Sequence, residues 1–125
     1  REANVNNAHL GIGFTSQFGA PATSVTFFYG EFGGTQELRV NGGSSGLVGS
    51  FLPLNGAIIG GANVAVLPTG PNSGRVTLSS APINGFSIGG QELWVDDIRF
   101  PTIPAPASLA ALAAGALITT RRRRA

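Results

Sequence analysis

Short apolar runs separated by glycine-rich and polar segments occupy most of the first hundred residues. Alternating apolar and polar side chains, as in Ser24–Tyr29, are typical of strands with one face on a core. The pattern predicts strands at Leu10–Phe14, Ser24–Tyr29, Glu37–Val40, Leu47–Leu52, Ala57–Ile59, Asn63–Leu67, Arg75–Leu78, Gly85–Ile88 and Glu92–Phe100. Such closely spaced short strands, with no amphipathic helix between them, predict an all-β antiparallel sandwich over residues 1–100 rather than βαβ units.

Glycine-rich segments are predicted to join these strands. Gly33-Gly34-Thr35 is predicted to be a turn that leads into Glu37–Val40, where Leu38 and Val40 share the inner face. Residues 41–46, Asn-Gly-Gly-Ser-Ser-Gly, are predicted to form a loop.

The last predicted strand contains a break in its alternation. Leu93 and Val95 share one face, but Ile98 and Phe100 have the opposite parity. One extra residue at Asp96-Asp97 would bring both apolar pairs to the core, so the pattern predicts a β-bulge there.

The amino-acid composition of the chain changes after residue 100. Residues 101–106 hold three prolines and predict a stiff, extended linker. Ala107 to Ile118 is almost wholly alanine and leucine, which predicts one short apolar helix in which Leu109, Leu112, Leu117 and Ile118 supply most of the hydrophobicity. As a helix, residues 107–120 would span about 21 Å, less than the roughly 30 Å of a bilayer core.

Four consecutive arginines, Arg121, Arg122, Arg123 and Arg124, follow this apolar segment. Positive charge stays on the cytoplasmic side of a membrane, which would leave the preceding domain outside. The alternatives to membrane insertion of the apolar segment are a helix packed on the domain and a disordered basic tail. The near absence of polar residues between Leu109 and Ile118 disfavours both.

The order of proline motif, apolar helix and terminal arginines resembles the PEP-CTERM sorting signals of exported bacterial proteins. The matching positions are Pro104, Ala105 and Pro106, then residues 107–120, then Arg121–Arg124. Ala105 stands where that family usually has glutamate. The resemblance implies a sorting tail over residues 104–125, processing by an exosortase-like enzyme, transient residence in the inner membrane, and delivery to the cell envelope or the extracellular space.

The sign of the net charge also differs between the tail and the residues before it. The net charge of +2 includes the four terminal arginines, so the residues before the tail are weakly acidic, which argues against a nucleic-acid partner. The absence of cysteine excludes disulfides and thiolate metal sites. Because the chain starts at Arg1 without Met or an apolar leader, we expect preceding sequence to be missing.

Acidic residues near the predicted bulge are candidate metal ligands. Asp96 and Asp97, with Glu92 or Glu31, could supply oxygen ligands to a structural calcium ion. The alternative is a solvated pair of carboxylates, one of which caps a turn or pairs with Arg99.

Two aromatic residues are candidates for stacking on a sugar ring, namely Trp94 and Tyr29. The competing interpretation places Trp94 in or at the edge of the core. A Gly-x-Ser-x-Gly match at residues 42–46 lacks the following helix and downstream histidine of a nucleophile elbow, and His9 lies upstream, so no enzyme activity is predicted.

The domain itself resembles the jelly-roll-like β-sandwiches found ahead of such tails, through residues 32–41 and 89–98. The Asp-Asp-Ile-Arg-Phe ending is also similar to carbohydrate-binding modules. The resemblances imply an exported, non-enzymatic protein of the cell envelope or extracellular matrix. The alternative is a module that binds a polysaccharide and carries a structural calcium ion.

Overall fold

The computed structural model describes residues 3, 4 and 8–101, which fold almost wholly into β-structure. The strands are β1 (Ala3–Asn4), β2 (Ala8–Gly13), β3 (Val25–Val40), β4 (Gly43–Ser44), β5 (Ile58–Ile59), β6 (Ala62–Gly70), β7 (Ser73–Ser79) and β8 (Gly85–Arg99). A five-residue helix α1 (Phe14–Phe18) follows β2, and a 3₁₀ turn lies at Leu52–Leu54.

All strand pairs are antiparallel and belong to one hydrogen-bonded sheet, ordered β1-β8-β3-β7-β6-β5. β2 continues the β1 edge along β8, and β4 pairs with the end of β3. The long strands β3 and β8 pair over nearly their whole length and form the centre of the sheet.

This sheet folds back on itself into two layers. The rings of Phe27 and Phe86 stack with centroids 5.8 Å apart. In the β3–β8 register, however, Phe86 lies opposite Val40, which would be about 43 Å from Phe27 along a straight strand. The sequence-based prediction of an antiparallel β-sandwich is therefore confirmed, and its layers are the two halves of the same strand pair.

We name the layers by the parts of β3 and β8 that they contain. The first layer comprises residues 25–30 of β3 and 93–99 of β8, together with β6 and β7. The second layer comprises residues 36–40 of β3 and 85–90 of β8, together with β2 and β4. The core between them contains Phe14, Phe27, Phe51, Leu38, Ile88 and Leu93, all fully buried.

The predicted turn at Gly33-Gly34-Thr35 is wrong, because β3 runs through it without reversing. The register between β3 and β8 shifts twice between Glu31 and Gln36. Extra residues in one strand of a pair bend it and increase its twist. Gly34 has a φ of +70°, and a Cβ there would lie 2.6 Å from the Cβ of Gln91, so this bend strongly favours glycine.

The predicted bulge near the end of β8 is confirmed. Phe28 pairs with Asp96 and Thr26 pairs with Arg99, so β8 has one residue more than β3 between these points. Asp97 takes a φ of +53°. As a result Ile98 and Phe100 pack on the same core as Leu93 and Val95.

Two predicted strands require correction. Residues 47–52 form bends and the start of the 3₁₀ turn, with a single bridge from Val48 to Gln36. Gly46, with a φ of +69°, and Pro53, which has no N–H, do not suit a strand, and Leu47 is 74% exposed. In addition, the first long strand ends at Gly13, and Phe14 starts α1 with its ring buried.

The turn between β5 and β6 closes the sandwich at one end. Gly60 lies against the end of β3, where a Cβ would be 1.9 Å from the carbonyl oxygen of Val40. The Asn41 side chain donates hydrogen bonds to the carbonyls of Gly60 and Pro82. These contacts join the second layer to the connections of the first.

No helix within residues 3, 4 and 8–101 is long and apolar enough to cross a membrane. The predicted linker, apolar helix and arginine cluster lie outside the described residues, apart from Pro101.

Candidate functional site

The outer face of the first layer carries an unusual row of exposed aromatic rings. Along β3, Val25, Phe27 and Tyr29 point inward, so Phe28 points outward. Phe28 is 37% exposed, Phe32 59% and Trp94 38%. The outer face of a half-buried sheet is normally polar, so these rings are the feature of this surface that needs an explanation.

The rings surround a groove whose floor is a glycine. Gly30 of β3 pairs with Ser73 of β7 on one side and with Trp94 of β8 on the other. The Phe32 ring folds back over Gly30, where a Cβ would lie 3.1 Å from Phe32 Cζ. The absence of a side chain at residue 30 thus makes room for the Phe32 ring beside the groove.

The groove has a volume of about 480 Å³, within the range of small-molecule sites. It is lined by Phe28, Tyr29, Gly30, Phe32, Ser73, Trp94, Val95 and Asp96. Within the described part of the chain, Phe28, Phe32 and Trp94 do not stack on one another or on other rings. Ser73 and Asp96 add a hydroxyl and a carboxylate at the walls.

The two predicted stacking residues have different environments. Trp94 lies at the groove surface, as the stacking hypothesis requires. Tyr29 also lines the groove, but it is only 5% exposed and its ring packs edge-on against Phe51 at 5.1 Å, so the ring does not offer a face for stacking. Burial, with a smaller contribution from the Glu31 carboxylate, raises the pKa of Tyr29 to about 12. Tyr29 is thus a core residue.

Phe28 and Phe32 were not identified from the sequence. Their exposed rings, and not that of Tyr29, lie beside Trp94 as candidates for stacking on a sugar. The alternation along β3 could have identified Phe28. Because Val25, Phe27 and Tyr29 already form the inner row, Phe28 must point outward. Phe32 could not be placed, because the bulges from Glu31 to Gln36 interrupt the alternation.

The acidic residues named as possible calcium ligands are not brought together. Asp97 pairs with Arg99 at 2.9 Å, as the alternative interpretation predicted, and Asp96 accepts a hydrogen bond from the Asp97 N–H at 2.8 Å. Glu92 lies beside Gly33 at the bend. Within residues 3, 4 and 8–101, no three acidic or histidine side chains are grouped to hold a metal ion, so the calcium hypothesis gains no support from this geometry.

Glu31, the fourth acidic candidate, has a structural role between the layers. Its carboxylate accepts hydrogen bonds from the Ser50 hydroxyl and from the Phe51 N–H, the latter at 3.0 Å. Phe51 is fully buried, so this carboxylate satisfies a backbone donor inside the domain.

The serine of the Gly-x-Ser-x-Gly match lies in a polar cluster on the second layer, made of His9, Glu37, Arg39 and Ser44. Glu37 accepts a hydrogen bond from Ser44, lies 3.0 Å from Arg39 and is 3.6 Å from His9 Nε2. The Ser44 hydrogen bond first, and then Arg39, lower the pKa of Glu37. The carboxylate lies between serine and histidine, whereas activation of a serine nucleophile needs the histidine between them.

The residues of the predicted sorting tail lie outside the described residues. These are Pro104, Ala105 and Pro106 of the motif, Ala107, Leu109, Leu112, Leu117 and Ile118 of the apolar segment, and Arg121 to Arg124. Their assignment continues to rest on the sequence.

Comparison of the chain with protein-family models, with curated proteins and with solved structures gave no match. The function must therefore be argued from the groove and from the sequence.

Proposed function

We propose that this domain is a non-catalytic module that binds a polysaccharide in the groove formed by Phe28, Phe32 and Trp94. The observation that carries the proposal is that these three large aromatic side chains are exposed around one depression on the outer face of the sheet. An exposed ring contributes little to the stability of the fold. A contiguous apolar patch on a soluble domain typically marks an interaction site.

The chemistry of the walls favours a sugar over a purely apolar ligand. A pyranose ring has C–H faces that pack on aromatic rings, and hydroxyls around its edge that need hydrogen-bond partners. Flat apolar surfaces lie here beside the Ser73 hydroxyl and the Asp96 carboxylate. Phe28 and Trp94 also lie on paired strands, which hold these two rings in place without a cost of ordering a loop.

The proposal includes the location predicted from the sequence. We propose that the PEP-CTERM-like tail holds the exported protein at the inner membrane until it is processed, after which the domain reaches the cell envelope or the extracellular matrix, where the groove would meet polysaccharide. The support for export is the tail sequence at residues 104–125.

Trp94 provides a direct test of the groove, because it is the single tryptophan of the chain. Titrating the full chain with a soluble β-glucan, a mannan, a xylan and polygalacturonate should change the Trp94 fluorescence for at least one of them. Phe32→Ala should weaken that binding about tenfold or more, as removal of a central aromatic contact does. Ile58→Ala is the matched control, since Ile58 is exposed but lies away from the groove.

Two results would overturn the binding proposal. One is the absence of any fluorescence change across the panel, and the other is equal binding by Phe32→Ala and the unaltered chain. A fluorescence change that follows protein concentration without sugar, together with dimers in sedimentation, would instead identify the face as a contact between copies and would also reject the proposal.

The sorting tail needs a separate measurement. Mass spectrometry of the mature C-terminus should show loss of the residues after the proline motif. Intact Arg121–Ala125 on a secreted, fully soluble protein would contradict the sorting role.

A further inference from the structure

A single arginine is placed at the edge of the aromatic groove. Arg75 of β7 lies directly opposite Phe28 of β3, and both residues are exposed on the outer face of the first layer. Directly opposed residues on one face have Cβ atoms about 5 Å apart, so the side chains of Arg75 and Phe28 start as neighbours on this face. Ser73, which lines the groove, is two residues away on the same face of β7.

Arg75 differs from the other arginines in the part of the chain that the structure describes. Arg39 pairs with Glu37 at 3.0 Å, and Arg99 pairs with Asp97 at 2.9 Å. Arg75 has no ion-pair partner within these residues. Its guanidinium is therefore a fixed positive charge whose donors are open to a ligand.

From this placement we infer that the groove prefers an acidic polysaccharide, in which the carboxylate of a uronic acid binds Arg75 while its ring packs on Phe28. The inference rests on the proposed function and names the class of sugar. A guanidinium matches a carboxylate through two parallel N–H···O bonds, and such charge-assisted bonds are stronger than bonds between neutral groups.

Asp96 lies on the other side of Phe28 and determines where the acid can be held. Asp96 and Arg75 flank Phe28 in the same row of the sheet, so two strand spacings separate their backbones by about 10 Å. A carboxylate on Arg75 would be at hydrogen-bond distance from the cation and about three times as far from Asp96. Repulsion across about 10 Å is largely screened at physiological ionic strength, so the attraction to Arg75 dominates.

The apolar surface continues past Arg75, which gives room for a chain rather than one sugar. Leu67 of β6 is exposed and lies directly opposite Arg75 on β7. Phe28, Arg75 and Leu67 thus form a row straight across three strands, and Trp94 lies diagonally next to Phe28 on the fourth, with the cation between apolar residues.

The test compares two forms of one polymer that differ in charge. Polygalacturonate and its methyl-esterified form share a backbone, but only the first carries free carboxylates. Trp94 fluorescence and calorimetry on the full chain should show about tenfold tighter binding of the acidic form, and added salt should reduce the difference.

Substitutions at two arginines assign the preference to a residue. Arg75→Gln should make the two polymers bind equally, and Arg75→Lys should restore part of the difference because it keeps the charge but loses the planar fork. Arg39→Gln is the matched control, since Arg39 is an exposed arginine of the second layer and should leave the preference intact.

The outcomes separate this inference from the proposed function. Neutral sugars that bind through Phe32 with no preference for acid, or an acid preference that survives in Arg75→Gln, would overturn the role of Arg75 and leave the binding module intact. If neither polymer nor any neutral sugar binds, both proposals fall together.

Discussion

The same two strands, β3 and β8, present two very different outer faces. In the first layer their outer face carries the rings of Phe28, Phe32 and Trp94 around a groove. In the second layer the outer face carries Glu37, which pairs with Arg39 and accepts a hydrogen bond from the Ser44 hydroxyl. The two faces differ because the first leaves apolar rings uncovered, whereas the second pairs its charges.

This difference is the reason for placing the proposed binding on the first layer. The charges of the second layer satisfy one another and need no external partner, as is usual for a sheet that faces water. The rings of the first layer would lose unfavourable contact with water when a ligand covers them. A common backbone therefore carries two side-chain patterns, and the proposed binding falls on the layer whose rings are uncovered.

The largest expected effect comes from separating the layers at Gly60. Gly60→Ala would place a Cβ 1.9 Å from the Val40 carbonyl, which the backbone can relieve only by moving the β5–β6 turn away from β3. We expect a loss of more than about 3 kcal/mol in the free energy of unfolding, measured by urea denaturation.

Gly61→Ala is the matched control for this prediction. Gly61 has a φ of +83°, but nothing lies within 4 Å of the Cβ position, so only the backbone conformation is penalised. A cost of about 1 kcal/mol is expected. Equal losses at the two positions would mean that the layers do not meet at Gly60.

A smaller effect is expected on the inner side of the aromatic layer, at Tyr29. Its pKa is raised from 10.0 to about 12 in the folded protein. The burial that disfavours the charged form means that stability is fully present below pH 10 and is lost as pH rises from 10 to about 12. Absorbance at 295 nm follows this ionisation directly, because Tyr29 is the single tyrosine.

Tyr29→Phe tests the cause of that alkaline loss. The variant has no group to ionise there, so its stability should fall less between pH 10 and 12. Glu31→Gln should lower the pKa of Tyr29 only in part, because burial remains the larger cause. A folded protein whose tyrosine titrates near pH 10 would show that the ring is not buried.

The smallest effect is expected in the polar layer, at Glu37. Its pKa is lowered mainly by the Ser44 hydroxyl, so Ser44→Ala should raise it toward the ordinary value of 4.5, as followed by carboxyl NMR shifts. A depressed pKa stabilises the fold above the ordinary value and less as pH falls. The difference in stability between the unaltered chain and Ser44→Ala should therefore shrink below pH 4.5. The control variant Ser87→Ala should leave the pKa of Glu37 unchanged.

Local pattern predicted the kind of structure but not how far each strand extends. The bulge at Asp96-Asp97 followed from the parity of four apolar residues, because side-chain alternation has a fixed period of two. The bend at Gly33-Gly34 was taken for a turn, since the same glycines suit a reversal and a bulge. The choice depends on β8, more than fifty residues later in the chain, which no local pattern contains.

The candidate site was predictable to the same limited extent. Trp94 was identified by residue type, but the groove also needs Phe32 to fold over Gly30 and Arg75 to lie opposite Phe28. These relations arise from register between strands, so they became visible only in three dimensions. The aromatic and cationic parts of the site are far apart in sequence and adjacent in space.

The central position of β8 has a consequence for how the domain forms. β8 is the last strand among residues 3, 4 and 8–101, yet it pairs with β3 and with the edge strands β1 and β2. Pairings between such distant segments must wait for closure of long loops and are associated with slow folding. A chain that emerges from its N-terminus would therefore remain without its central strand until almost the entire domain is available, and the groove could not exist before that moment.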